Sequence, residues 1–142
     1  VSMEEINAID VAAGKEAALA NNYTLRINKR RLENSSEDSV TDKLKNTIED
    51  NEKKIRLSVE SAYQSLLAAK LSYEQAVASN ETAQAQLAIS AAGLQAGTIT
   101  ALAYEQQQAN ADAAQIAVQT AALDLFEAYQ TYEWNVNGLA GA

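Results

Sequence analysis

The sequence predicts an all-α protein, because little in its 142 residues interrupts a helix and most residues favour one. The chain has no proline and only five glycines, the two residue types that most often end or kink helices. Alanine, glutamine, glutamate and leucine, which are good helix formers, fill the long stretches between a few polar segments. Apolar residues also recur every seven positions, as they do in helices that pack side by side. We therefore expect a single helical domain over residues 1–142.

The first predicted helix covers residues 3–33 and has a loosely apolar side. It ends in a basic cluster, "RINKRR", which suits the negative end of a helix dipole. Residues 34–39 then form a polar turn. Ser39, followed by Asp42, resembles a capping box for the next helix, with Ser35 or Ser36 as alternative caps. A continuous helix through this stretch remains a further alternative.

The second predicted helix covers residues 40–95 and carries a sustained heptad repeat. Larger residues occupy one heptad position and alanine the position three residues later, so a partner backbone can approach to about 8 Å. Asn80 interrupts the repeat, as polar residues that fix helix register often do. The predicted helix-packing seam comprises Val59, Ala62, Leu66, Ala69, Tyr73, Ala76, Ala83 and Leu87.

A short turn at 96–99 separates this helix from a third helix over residues 100–136. Gly97 is suited to the left-handed conformation that ends a helix, and Thr98 or Thr100 caps the next one. Gly138 is expected to stop the third helix before a tail at 137–142.

The third helix has two apolar seams, and a helix with two seams packs on two neighbours. The second neighbour is either the first helix or another subunit. One seam comprises Leu102, Ala109, Ile116 and Leu123, and the other Tyr104, Ala111, Val118, Leu125 and Tyr132. The expected architecture is an elongated antiparallel coiled-coil hairpin plus a shorter N-terminal helix, a three-helix bundle with no β-barrel.

The composition argues against several classes of function. The net charge is −8 with acidic and basic residues interspersed, which disfavours nucleic acid as a partner. The chain lacks histidine and cysteine, the commonest catalytic bases, nucleophiles and zinc ligands. It also lacks an apolar run long enough to span a membrane. We therefore predict no enzymatic activity, no catalytic or metal-binding residues, no cofactor and no direct insertion into a membrane.

Two clusters were weighed as sites. Glu49, Asp50 and Glu52 are suited to weak cation binding, but a solvated helix face is the stronger interpretation of this charged stretch. The aromatic stretch "FEAYQTYEW", from Phe126 to Trp134, is interpreted as packing residues at a junction with the first helix or with a missing domain.

The stretch from Ser58 to Gly138 resembles the outer-membrane efflux protein family, the TolC-like exit ducts. The resemblance rests on an alanine–tyrosine pair at Ala62–Tyr63, alanines at heptad spacing, the "GTIT" turn, and a returning helix with an aromatic residue near its end and a glycine stop. The segment "AIDVAAGKEAALANNYTLRINKRR" also resembles the family's opening helix. The likeness thus covers most of the chain.

The resemblance implies a structural role in the cell envelope, on the periplasmic side of the outer membrane. In that family three protomers close a helical tunnel for efflux or type I secretion, and periplasmic adaptor (membrane fusion) proteins dock on the hairpin tip. Carried over to this chain, the tunnel wall is a homo-oligomer, a trimer if the chain is duct-like. The adaptor-docking tip comprises Leu94, Ala96, Gly97, Thr98, Ile99 and Thr100.

The chain departs from the family pattern in three ways. Only "NSSEDSVTDK" stands where the family has membrane-spanning strands, one repeat is present where two are usual, and the positions of the charged gate hold Leu94, Ile99, Ala103 and Gln106. The tip is therefore expected to dock a partner and not to act as a gate. The alternative is a stand-alone three-helix coiled-coil domain that binds another protein or spaces two domains.

Overall fold

A computed structural model describes residues 2–139, and these residues form five α-helices and no strand. This confirms the all-α fold class, although the sequence predicted three helices. None of the described helices combines the length and the apolarity that crossing a bilayer requires. The helices are α1 Met3–Asn7, α2 Val11–Asn21, α3 Tyr23–Glu33, α4 Asp38–Gln95 and α5 Ala101–Val136.

The single helix expected over 3–33 is wrong, because polar side chains end and restart the helix twice. Ser2 and Glu5 form a capping box that begins α1. Asp10 adopts an extended conformation, and its carboxylate accepts hydrogen bonds from the Ala12 and Ala13 amides at 2.9 and 3.2 Å. Asp10 therefore starts α2 as a separate helix.

The second break is at Asn22, which ends α2 and caps α3. Its backbone is extended, and its buried side chain accepts a hydrogen bond from the Leu25 amide at 2.9 Å. Asparagine is among the best capping residues because its short side chain satisfies an amide that the first helical turn leaves unpaired.

The polar turn after α3 lies close to where the sequence placed it, but its predicted cap is wrong. α4 begins at Asp38, so Ser39 lies inside the first turn and not at the cap. Its hydroxyl donates to the Glu37 carboxylate at 3.3 Å. The alternative of one continuous helix is also wrong, since the chain leaves helical conformation between Glu33 and Asp38.

The two long helices have bounds close to the expected ones: Asp38–Gln95 against 40–95, and Ala101–Val136 against 100–136. After α5, Gly138 has a φ of 73°. The Leu139 amide bonds to the Trp134 carbonyl at 3.0 Å, which forms a Schellman motif with Gly138 in the left-handed position. The rest of the predicted tail, residues 140–142, lies outside the described residues.

The chain divides into two compact units. Unit 1 contains α1, α2 and α3 together with α4 up to Leu66 and α5 from Glu127 onward. Unit 2 spans Leu67–Phe126, which is the remainder of α4, the turn and the first part of α5.

The core of unit 1 joins the N-terminal helices to α4 and α5. Its buried apolar side chains come from every helix of the unit: Ile6, Ala18, Leu25, Ile48, Ile55, Val59, Ala62, Leu66 and Tyr132. Tyr132 contacts Gly14 of α2 and also Tyr63 of α4, whose ring centroid lies 6.1 Å from its own. The end of the aromatic stretch is therefore a junction with the first part of the chain.

Ion pairs across helices add to this core. Lys15 and Glu16 of α2 pair with Glu60 and Arg56 of α4 at 2.5 and 2.7 Å. Lys29 of α3 pairs with Glu52 of α4 at 2.7 Å. These partners are 23 to 45 positions apart in the chain, so their contribution is to hold α2 and α3 in register on α4.

Candidate functional site

The turn of unit 2 is built by a glycine stop followed by a threonine cap. Gly97 has a φ of 70°, and the Thr98 amide bonds to the Gly93 carbonyl at 2.9 Å, which again forms a Schellman motif. The Thr98 hydroxyl donates to the same carbonyl at 3.0 Å. Thr100 is the cap of α5, because its hydroxyl accepts from the Ala103 amide at 3.2 Å.

The predicted tip residues differ in exposure. Ala96, Gly97, Thr98 and Thr100 are exposed, whereas Leu94 and Ile99 are half-buried. A Cβ built on Gly97 meets no atom within 4 Å, so the outer side of the turn is open. The turn thus presents small side chains and two hydroxyls on a hydrogen-bonded frame, which suits contact with another protein surface.

The predicted helix-packing seam of α4 lies on the inward face of the helix along its whole length. Val59, Ala62 and Leu66 are buried in unit 1. The remaining seam residues are half-buried in unit 2: Ala69, Tyr73, Ala76, Ala83 and Leu87. Asn80, the polar interruption, is also half-buried on this face.

The two seams predicted for α5 have different environments. Ala111 and Leu125 are buried in unit 2, and Tyr104 and Val118 are half-buried. Unit 2 consists of the α4 and α5 segments that the turn joins, so both half-buried faces belong to one compact unit. The other seam is fully exposed, with Leu102, Ile116 and Leu123 retaining 74%, 62% and 69% of their surface.

Each helix of unit 2 therefore has an outward stripe, roughly opposite its half-buried face. Every member of both stripes is exposed and uncharged. The α5 stripe comprises Leu102, Gln106, Ala109, Ala113, Ile116, Thr120 and Leu123. The α4 stripe comprises Leu71, Gln75, Ala78, Thr82, Ala85, Ile89 and Ala92. Residues of each stripe are spaced alternately by four and three positions, as on a helix face that packs on a neighbour.

Heptad spacing of large apolar residues predicts the α5 stripe, but it does not predict the α4 stripe, which consists mostly of small and polar residues. The feature of the sequence that marks the α4 stripe is its lack of charged residues. Charged residues of unit 2 avoid both stripes; they are Lys70, Glu74, Glu81, Glu105, Asp112 and Asp124. An exposed helix face normally carries charged residues, so two faces without any are unusual.

Two carboxylates of the acidic stretch of α4 form ion pairs. Glu49 pairs with Lys53 at 2.8 Å, and this hydrogen bond is the main reason that the pKa of Glu49 is lowered. Glu52 is the partner of Lys29. Within residues 2–139 no group of three acidic side chains is placed to hold a metal ion.

Comparisons with protein-family models, curated proteins and solved structures found no match to this chain. The resemblance to TolC-like ducts therefore depends on the residues of the chain alone.

Proposed function

We propose that the chain is a structural segment of a TolC-like efflux or export duct on the periplasmic side of the outer membrane. In this proposal unit 2 is an elongated antiparallel coiled-coil hairpin that forms part of the tunnel wall. Copies of the chain associate side by side, as a trimer if the assembly is duct-like, and a periplasmic adaptor protein docks on the 96–100 turn.

The observation that carries the proposal is the pair of outward stripes. A helix in a tunnel wall has a neighbour on each side and needs two faces that tolerate close packing. In this proposal the half-buried face of each helix in unit 2 packs on the other helix. The α4 and α5 stripes supply the second face, and their alanine and threonine residues allow close approach of a neighbouring backbone.

The geometry of the tip supports adaptor docking. Its backbone is held by the hydrogen bonds of a Schellman motif and a threonine cap, so an adaptor meets a preformed surface and pays little ordering entropy. The turn carries no charged side chain, and neither do the positions corresponding to the family's gate: Leu94, Ile99, Ala103 and Gln106. A docking role fits these residues better than gating.

Unit 1 favours the second candidate, a stand-alone helical domain that binds another protein or acts as a spacer. Its core and the ion pairs Lys15–Glu60, Glu16–Arg56 and Lys29–Glu52 close a helical bundle within one chain. In this case the stripes do not pair with copies of the chain.

Adaptor docking is tested by Thr98→Arg, measured as binding of the chain to the purified helical hairpin of a periplasmic adaptor. Thr98 is exposed, and in the variant its amide keeps the bond to the Gly93 carbonyl, so the bulky charge blocks the surface at the cost of one exposed hydroxyl bond. Asn110→Arg, an exposed site elsewhere on α5, adds the same side chain as a matched control. The proposal requires binding by the unaltered chain and the control, and loss in Thr98→Arg; equal binding by both variants would refute docking at the tip.

Side-by-side association is tested by pairs of cysteines, since the chain has none. In a closed ring the α5 stripe of one copy faces the α4 stripe of the next, so one cysteine is placed in each stripe. Ile116→Cys with Thr82→Cys places both in the stripes, whereas in the control, Gln115→Cys with Thr82→Cys, the α5 cysteine is exposed outside the stripe. Under mild oxidation we expect covalent dimers and trimers from the first pair in preference to the control, and equal yields from both would mean that the products arise from random collisions.

A further inference from the structure

The outward face of α3 concentrates positive charge in an acidic protein. Ten of the eleven lysine and arginine residues lie between Lys15 and Arg56, and four of them are in α3. Lys29 pairs with Glu52. The other three, Arg26, Arg30 and Arg31, are exposed, and no carboxylate among the described residues lies within ion-pair distance of them.

The position of Arg26 costs stability in the isolated chain. Arg26 and Arg30 are one helical turn apart, where like charges repel each other. Arg30 and Arg31 are in the last turn of α3 and so benefit from the helix dipole. Arg26 is in the first turn, where the dipole is unfavourable to a cation, so helix stability does not explain it.

Arg26 and Arg30 line a shallow groove on the outside of α3. Its other lining residues are Tyr23 and Ile27. Tyr23 retains 72% of its surface and presents a ring, while Ile27 is a half-buried apolar residue of the lining. The groove thus combines two cations, spaced about 5–6 Å apart at Cβ, with an apolar side.

We propose that this groove binds a small molecule with a phosphate group attached to an aromatic or apolar group. Guanidinium groups match the oxygens of a phosphate in two-point hydrogen bonds, and two of them one turn apart can share one dianion. The Tyr23 ring and Ile27 then cover the attached group. A bound dianion also removes the repulsion between Arg26 and Arg30.

A small soluble molecule fits the charges better than an anionic membrane does. The chain as a whole carries −8, and Glu33, Glu37 and Asp38 follow the groove closely in the sequence. An extended anionic surface meets all of these carboxylates, whereas a small ligand is sensitive mainly to charges within a Debye length of about 8 Å. The site lies wholly in unit 1 and does not depend on the duct proposal.

The test follows the amide NMR signals of the full chain during titration with inorganic phosphate, phenyl phosphate and phenol at constant ionic strength. We expect saturable shifts confined to α3 with both phosphates, tighter binding of phenyl phosphate, and no shifts with phenol alone. Tyr23→Ala should bring the affinity for phenyl phosphate down to that for inorganic phosphate, because it removes the ring contact.

The double variant Arg26→Gln with Arg30→Gln should weaken phenyl phosphate binding about tenfold or more, because it removes the charge-assisted hydrogen bonds. Its matched control, Lys43→Gln with Lys54→Gln, removes the same charge from two exposed lysines of α4 and should change binding less than twofold. Shifts spread over α4, or equal weakening by both double variants, would overturn the proposal. So would binding to phosphatidylglycerol vesicles, abolished by the arginine variant, without any binding of phenyl phosphate.

Discussion

Units 1 and 2 are built from parts of the same two long helices, yet they bury very different amounts of side chain. In unit 1, contacts from α2 and α3 complete a core that includes fully buried Leu25, Val59 and Leu66. In unit 2, all of whose residues are described, Ala111 and Leu125 are the buried side chains. The same two helices thus contribute to a buried core in unit 1 and have mostly half-buried and exposed residues in unit 2.

The difference in burial is accompanied by a difference in where charged residues and ion pairs lie. Unit 1 contains ten of the eleven cations, and three of its ion pairs cross between helices. An ion pair of unit 2, Lys70–Glu74, lies within one helix. Unit 1 is therefore held together by contacts between its own helices, whereas two uncharged stripes of unit 2 are exposed.

The largest expected difference is between Leu25→Ala and Leu102→Ala. Leu25 is fully buried in unit 1, and its truncation should lower the free energy of unfolding by about 2–5 kcal/mol through lost burial and a cavity. Leu102 is 74% exposed in unit 2, so its truncation should cost under about 0.5 kcal/mol. Urea unfolding followed by circular dichroism, at concentrations too low for association, measures both; similar losses would mean that Leu102 has a packing partner within the chain.

The two left-handed glycines give the next comparison. Gly97 and Gly138 have φ values of 70° and 73° and occupy the same position of a Schellman motif. A Cβ on Gly97 meets nothing, but one on Gly138 lies 2.6 Å from the Asn21 carbonyl carbon. Alanine should cost about 1–2 kcal/mol at Gly97, from backbone strain alone.

Gly138→Ala should cost about 1–3 kcal/mol more than Gly97→Ala, because the backbone of Asn21 and Asn22 must also move. Thermal unfolding of the two variants, with the unaltered chain as reference, measures the difference. Equal shifts in Tm would show that α5 does not approach the α2–α3 junction this closely.

A smaller effect is expected at the helix caps. Asn22→Ala in unit 1 removes a buried hydrogen bond to the Leu25 amide, and Thr100→Ala in unit 2 removes an exposed one to the Ala103 amide. We expect about 1–2 kcal/mol for the first and about 0.5–1 kcal/mol for the second. Chemical denaturation gives both values. A larger loss of unfolding free energy for Thr100→Ala than for Asn22→Ala would contradict the expectation that the buried cap of unit 1 contributes more than the exposed cap of unit 2.

The smallest expected effect is on the stability of the chain at low pH, through the Lys15–Glu60 ion pair of unit 1. The hydrogen bond from Lys15 is the main reason that the pKa of Glu60 lies below its ordinary value of 4.5, and a bond from Gln64 adds to it. A carboxyl whose pKa is lowered on folding stabilises the fold above pH 4.5, and this contribution is lost as pH falls through the lowered pKa. Glu60→Gln should therefore lower Tm slightly at neutral pH and flatten the fall of Tm below pH 4.5. If Tm falls below pH 4.5 as steeply in Glu60→Gln as in the unaltered chain, the Lys15–Glu60 ion pair does not contribute to stability.

The all-α class was predictable because it depends on local properties: no proline, few glycines and long runs of helix formers. The glycine stops at Gly97 and Gly138 are also local, since a single residue type meets the left-handed requirement at low cost. The caps at Asp10 and Asn22 were local signals too, but both residues were read as part of one helix. They were missed because a capping residue is recognised only when the chain is expected to break there.

The cross-helix contacts were not predictable from one sequence. Nothing near Lys15 in the chain indicates Glu60, 45 positions away, as its partner, and the approach of Gly138 to Asn21 depends on how whole helices pack. The exposed α5 seam shows the same limit. Its heptad spacing predicted packing on a second neighbour, but spacing does not identify that neighbour, and the large side chains of this seam are exposed in unit 2.

The central claim is that the stripes of unit 2 are contacts between copies of the chain, and sedimentation equilibrium tests it most directly. The full chain is compared with Ile116→Glu in the α5 stripe and with Tyr23→Glu, which adds the same charge at a comparably exposed apolar site of unit 1. We predict a concentration-dependent oligomer, a trimer in the duct proposal, for the full chain and Tyr23→Glu, and a monomer for Ile116→Glu. A full chain that stays monomeric at high concentration, or an Ile116→Glu oligomer as strong as the unaltered one, would contradict the claim.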